Sequence, residues 1–195
     1  MKDFTRIDMA ALWKGKRGEN SPVKLVGIRG ALAASGQKNR LSIYDDVILR
    51  IIDGVVTQFR ASTDPSWPLV VHAINRSGAA LLCPGVHLME KHMLHGTQPC
   101  LGQAEEVHVN RLDSTGKVKF TESGQFGICI HSGGAGMDTG RFSAGCQITQ
   151  NEDGYFRNPG WENFWGPIRD AMTSKKLKTV PYQLLNGTDL TGLVV

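Results

Sequence analysis

Apolar residues in the middle of the chain fall into short runs rich in Val, Ile and Phe. These are Lys24–Ile28, Val47–Ile52, Val55–Arg60, Leu69–Ile74, Ala79–Cys83, Val107–Val109, Val118–Thr121 and Phe126–His131. Runs this short, punctuated by Gly and Pro, predict a mainly β fold: a sandwich or barrel of short antiparallel strands. Asp53-Gly54 separates two of the runs. A tight primed turn asks for positive φ at both central positions and this dipeptide supplies it, so residues 47–60 are expected to form a hairpin.

A helical period comes late in the chain. Trp161, Trp165, Ile168 and Met172 recur at i, i+4, i+7 and i+11 behind Asn158-Pro159, where Asn can cap and Pro suits the first turn. The spacing predicts an amphipathic C-terminal helix of about three turns covering the sheet. Its tryptophans are expected to anchor it in the core rather than form a sugar-stacking platform. Residues 1–40 are harder to read; a short helix near Arg6–Trp13 and a Gly-rich loop around Gly30–Gly36 are the expectation. With no internal repeat, low-complexity segment or long linker, residues 1–195 read as a single domain.

Composition narrows the function. The chain has 195 residues, 41% of them hydrophobic, which is enough for a real core. Lys+Arg 22 against Asp+Glu 18 gives a net charge of +4, but the basic residues are scattered. Only Lys14, Lys16, Arg17 and Lys175, Lys176, Lys178 form small groups, so no nucleic-acid partner is expected, since such binders carry a denser stripe. The mild excess fits solubility or a weak preference for a polyanionic surface such as a bacterial wall.

No stretch approaches the ~20 apolar residues of a membrane span. The acids within Met1–Asp8 interrupt what a signal peptide needs, so synthesis in a cytoplasm is expected, with free thiols at Cys83, Cys100, Cys129 and Cys146. There is no Cys-x-x-Cys pair, and His87, His92 and His95 around Glu90 do not make His-Glu-x-x-His; no metal and no cofactor are implied. The Met89–Gly96 segment reads as a hairpin, with His92 and His95 on its surface or lining a groove.

The stretch from Phe126 to Gln147 carries the chemistry. As a strand it sends Phe126, Ile128 and Ile130 one way and Gly127, Cys129 and His131 the other. A loop containing Gly133, Gly134, Gly136 and Gly140 then brings Ser143-Ala144-Gly145-Cys146 beside the histidine. A cysteine attacks as thiolate, and its ordinary pKa of about 8.5 must be lowered by a base or cation, which His131 can supply. The amides of Ala144, Gly145 and Cys146, uncovered by bulky side chains, could stabilise an oxyanion. On spacing alone, a catalytic pair and a coincidental one both stand. Cys129, between isoleucines, and Cys83 are expected to be buried and inert; Cys100, expected in a loop behind Pro99, is the rival thiol.

Ile130-His131-Ser132, a glycine-rich stretch and Ser143-x-Gly145-Cys146 together resemble the active-site signature of the L,D-transpeptidase catalytic domain, the YkuD-type family. That signature is a His, a variable loop, then Ser/Thr-x-Gly-Cys. The resemblance covers roughly residues 126–148 and implies a mostly β fold. It makes Cys146 the acyl-forming nucleophile and His131 its base, with Ser132 orienting the ring, Ser143 hydrogen-bonding in the site, and amides near Gly145 and Cys146 as oxyanion donors. Two positions depart from the family pattern: Ala144 stands where a His is common, and Ile148 where Arg or Asn is common. Arg141 or Arg60 is the candidate clamp for a substrate carboxylate, against the alternative that both are simply solvated.

Family members act on peptidoglycan stem peptides, attacking the carbonyl of an L-centre followed by a D-residue. The expected activity is therefore hydrolysis by an L,D-carboxypeptidase or endopeptidase more than cross-linking. Delivery to the wall would fall to a phage, lysis or secretion apparatus. Tyr44-Asp45-Asp46 and Ser62-Thr63-Asp64-Pro65 are loosely similar to compact phage proteins of this type. The alternatives are a non-catalytic wall-binding or virion structural protein that keeps the fold, and a cysteine acyltransferase or peptidase with another substrate.

Overall fold

Strand-length apolar runs need partners on both edges, and most of them find these by closing a ring. In the computed structural model, which describes residues 2–33, 39–94, 97–151 and 159–190, eleven strands form two sheets. In chain order they are β1 (Val23–Arg29), β2 (Asp46–Ile52), β3 (Val55–Ser62), β4 (Ala79–Leu82), β5 (Gly85–Leu94), β6 (Gln98–Gln103), β7 (Val107–Leu112), β8 (Val118–Gly124), β9 (Cys129–Ser132), β10 (Gln147–Thr149) and β11 (Thr179–Asn186). A closed barrel runs β1-β11-β5-β6-β9-β10-β3-β2, and β4-β7-β8 make a separate three-stranded sheet. The fold is mainly β, as the apolar pattern predicts. Pairing is antiparallel except for β1 with β11 and β9 with β10, which are parallel.

The Asp53-Gly54 turn closes the β2–β3 hairpin with φ of 49° and 84°, as the dipeptide predicts. The late helical period becomes α3 (Pro159–Ser174), longer than the three turns expected. Its Trp161, Phe164, Trp165, Ile168 and Met172 are all buried in the main core. The two indoles stack with centroids 6.3 Å apart, and Phe164 meets Phe59 of β3 edge-on at 5.0 Å, so the tryptophans are core anchors. Pro167 lies inside α3 and cannot donate to the carbonyl of Asn163; Arg50 of β2 donates its Nη1 to that oxygen instead. The proposed Asn158 cap lies outside the described residues.

The expected N-terminal helix is α1 (Met9–Trp13), capped by the Asp8 carboxylate, which accepts from the Ala11 amide at 3.0 Å. Gly36 and the end of the expected glycine loop lie outside the described residues. Among the described residues no helix is long and apolar enough to cross a membrane.

Two strand expectations fail. The run Leu69–Ile74 is not a strand, because Ser66 and Pro68 start a short helix, α2 (Trp67–Val71): proline's fixed φ suits a helix's first turn, and the Ser66 carbonyl accepts from Leu69 and Val70. The strand read over Phe126–His131 begins only at Cys129. Gly127 takes φ +69°, and the Gln103 side chain holds Phe126 and Ile128 off the ladder by accepting from both amides, at 2.9 and 3.0 Å.

At one end of the barrel, Arg29 is buried with three aspartates. Its Nε lies 3.0 Å from Asp64, and its Nη2 donates to the carbonyls of Thr63 and Leu82 at 2.8 and 3.1 Å. Asp46 accepts from the Gly30 amide and from the amide and hydroxyl of Thr63. Asp45, on the neighbouring loop, is also buried, 3.6 Å from Arg40. The backbone from Ser62 to Ser66 is thereby fixed, and the Cys146 loop is built on it.

Candidate active site

Strand register brings the candidate residues together. Parallel pairing aligns Gln147 with Ile130 and Ile148 with His131, so Cys146, one position earlier, falls in register with Cys129. Antiparallel pairing of β6 with β9 aligns Leu101 with Ile130, and therefore Cys100 with His131. Leu101 and Ile130 face the main core. Side chains alternate along a strand, so Cys129 and His131 share the opposite face, where Cys146 meets them.

His131 is buried, and its Nδ1 lies 2.7 Å from the carbonyl oxygen of Ser132. A carbonyl only accepts, so Nδ1 carries the proton and the other ring nitrogen is left for the thiol. The resemblance gave Ser132 the task of orienting the ring, and its backbone carbonyl makes that contact. The Ser132 hydroxyl is used elsewhere, accepting from Asn151 Nδ2 at 3.1 Å.

Cys146 is half-buried, its sulfur 3.9 Å from the Gly127 carbonyl oxygen, with Cys129 and His131 the neighbours that act on its charge. The Cys129 thiol, then the His131 ring and its charge, draw the Cys146 thiol well below its ordinary range, against the opposing effect of burial. Burial disfavours a charged His131, but the hydrogen bond and negative charge of Cys146 outweigh it and raise the imidazole. The pair therefore favours thiolate and imidazolium together. Cys129 is pushed far up by its hydrogen bonds to Cys100 and Cys146, so it keeps its proton while Cys146 gives one up.

The turn before Cys146 is rigidly held. Ser143 and Ser66 exchange two bonds, Ser66 N–H to the Ser143 carbonyl at 2.7 Å and Ser143 N–H to Ser66 Oγ at 3.1 Å. Ser143 Oγ donates to the Cys146 carbonyl at 2.7 Å and accepts from the Gly145 amide at 3.2 Å. Ser143 is thus a scaffold, and of the three amides proposed for an oxyanion Gly145's is already engaged. Gln147 closes the other side, donating to the Gly145 carbonyl and accepting from Tyr182 Oη. Upstream, the Tyr44 hydroxyl accepts from Gly134 N–H at 2.8 Å and pins the glycine loop.

Gly145 has φ +140°, and a Cβ there would lie 2.6 Å from the Ala80 carbonyl oxygen. Gly145→Ala should therefore cost about 1–3 kcal/mol of stability and shift Cys146 off His131. Chemical denaturation together with the alkylation rate of Cys146 would measure both.

Cys146 opens onto a cleft of about 380 Å³ whose walls include Ala80, Arg111, Phe126, Gly127 and Ala144. Neither candidate clamp lies on it: Arg141 is exposed elsewhere and Arg60 sits against Met137 Sδ at 2.9 Å. The arginine of the cleft is Arg111, buried on β7, bound to Glu122 and stacked 4.8 Å over Phe126. Its isolated place in Val107–Leu112 gave no sequence signal. His92 is exposed on β5, in a hairpin with β6, and does not line the cleft; His95 lies outside the described residues. Cys100 is not in a loop but buried in β6, and Cys129, though buried, stands in register with Cys146 and shares the Gly127 carbonyl with it. Among the described residues no cluster of His, Cys, Asp or Glu could hold a metal.

No family model, curated protein or solved structure matches the chain.

Proposed function

We propose that the chain is a cysteine-nucleophile enzyme of the L,D-transpeptidase type that opens peptidoglycan stem peptides through an acyl-enzyme and then hydrolyses it. The observation that carries the chemistry is the row of Cys146 sulfur, His131 ring and Ser132 carbonyl, open at the sulfur end to a cleft. The substrate class rests on the resemblance of His131-Ser132 and Ser143-x-Gly145-Cys146 to that family.

In this reading the Cys146 thiolate attacks the carbonyl of the L-centre, and the Ala144 and Cys146 amides stabilise the oxyanion. His131, charged by the thiol's proton, passes that proton to the departing amine of the D-residue. Neutral again, it takes a proton from water, which attacks the thioester and frees Cys146. Ile148, in register with His131 and fully buried, fills the place of the family's common polar residue with an apolar wall beside the ring.

Mass spectrometry of stem-peptide fragments incubated with the protein tests the proposal. Release of a terminal D-amino acid or a shortened stem is the expected result. Unchanged fragments, with the protein still sedimenting on wall sacculi, would overturn it in favour of wall binding without turnover.

A further inference from the structure

Three thiols converge on one face of the barrel wall around His131, and a single-nucleophile mechanism uses only one of them. We propose that Cys129 is a resolving thiol for Cys146: a hydroperoxide oxidises Cys146 to a sulfenic acid, and Cys129 closes it into a Cys129–Cys146 disulfide that shuts the site reversibly. The inference rests on Cys146 being the reactive thiol of the proposed function, but not on its substrate.

The register makes the bond feasible. Cys146 and Cys129 are aligned across the parallel β9–β10 pair, and neighbouring strands lie about 4.8 Å apart. A disulfide spans Cα separations of roughly 4.4–6.8 Å, so no strand need move. Both sulfurs already converge on one atom, the Gly127 carbonyl oxygen, at 3.4 Å from Cys129 and 3.9 Å from Cys146. Cys100 is worse placed: it lies on β6, with β9 between it and β10, so about two strand spacings separate its strand from that of Cys146.

Access divides the roles. Cys146 lines the cleft and can meet a solvent oxidant, whereas Cys129 is 1% exposed and meets one only through Cys146. In the first step the Cys146 thiolate attacks one peroxide oxygen, the O–O bond breaks, and the leaving oxygen takes the His131 proton. Sulfur loses two electrons and the peroxide gains them. In the second step Cys129 gives its proton to His131, which shares its strand face, and its sulfur attacks the sulfenic sulfur. The hydroxyl leaves as water with the proton from His131. Cys100 and the Cys146 thiolate both hold the Cys129 proton in place, and oxidation of Cys146 removes the second of them, easing release of the resolving thiol.

The test treats the full wild-type chain with a small excess of hydrogen peroxide, removes the peroxide, unfolds the chain in guanidinium with iodoacetamide so that buried free thiols are blocked too, and maps peptides without reduction. The expected product has lost two hydrogens and links the Cys129 and Cys146 peptides, with Cys83 and Cys100 alkylated. Dithiothreitol should return both thiols, and in Cys129→Ala the same dose should drive Cys146 on to sulfinic acid that dithiothreitol does not reverse. A wild-type map showing Cys146 sulfinic acid with Cys129 alkylated, or a bridge to Cys100, would overturn the proposal. The wild-type map decides this without any variant, and it reads thiols alone, so a null result on stem peptides is a separate outcome.

Discussion

His131→Ala should slow alkylation of Cys146 by iodoacetamide at pH 6 by at least about tenfold and remove stem-peptide cleavage; Cys146→Ala should abolish both. Each unit by which the thiol pKa rises costs tenfold in thiolate below that pKa. In the wild type, the hydrogen bond from Cys129 and then the ring and charge of His131 hold the thiol low, while Cys146 holds the imidazole high. The ion pair therefore spans the window between these two displaced values. Wild-type alkylation should persist as pH falls through the ordinary thiol range and drop only where the thiolate itself takes a proton. Turnover should also fall on the alkaline side, as His131 loses the proton it gives to the leaving amine. Without His131 the acid limb of alkylation should move up, and cleavage should fall by about 10⁶-fold, the scale seen when the base of a nucleophile–base unit is deleted. Intact-mass alkylation kinetics between pH 5 and 9 measure the shift. Equal rates for wild type and His131→Ala at pH 6 would show that the ring does not activate the thiol.

The candidate site was legible in the sequence where local patterns govern it, and what depends on strands distant in the chain was concealed. Asp53-Gly54 and the Trp161–Met172 period act through near neighbours, so the hairpin and α3 could be read from the chain. The His131 to Cys146 motif could be read too, because its loop is short and its glycines mark where the chain turns. The Met89–Gly96 hairpin reading caught only the far end of β5; the rest of β5, with β6, β10 and β11, was hidden for different reasons. β10 has only three residues, β6 begins with Gln98-Pro99, and β5 carries charges and histidines on both faces, so no apolar alternation marks it. β11 pairs in parallel with β1, which no tight turn announces. Cys129 looked inert because isoleucines flank it; only the β9–β10 register sets it against Cys146. Gln103 and Arg111 act through side chains that reach across from other strands, and nothing near them in sequence marks that role.

Arg29→Ala is the second large effect, an expected loss of about 3–5 kcal/mol in stability, because it leaves buried carboxylates without their cation. Asp64 is 1% exposed at 3.0 Å from the guanidinium, and Asp46 lies beside it. Burial pushes both carboxyls above their ordinary range, with the charge of Asp64 adding to the rise in Asp46 and that of Arg29 restraining Asp64. Removing the guanidinium removes that restraint. A carboxyl whose folded pKa is raised favours the fold below its unfolded pKa, and loses that contribution as pH rises through the folded value. The variant's deficit should therefore be largest near neutral pH and shrink as pH falls toward 4. Urea unfolding of wild type and variant at several pH values measures this, and a deficit that is constant with pH would mean the arginine acts by packing alone. Because Arg29 holds Thr63, and Ser66, three residues on, carries the Ser143 turn, Arg29→Ala should also slow Cys146 alkylation in the folded protein. The charge cluster at the end of the barrel would then position the nucleophile through the backbone between them.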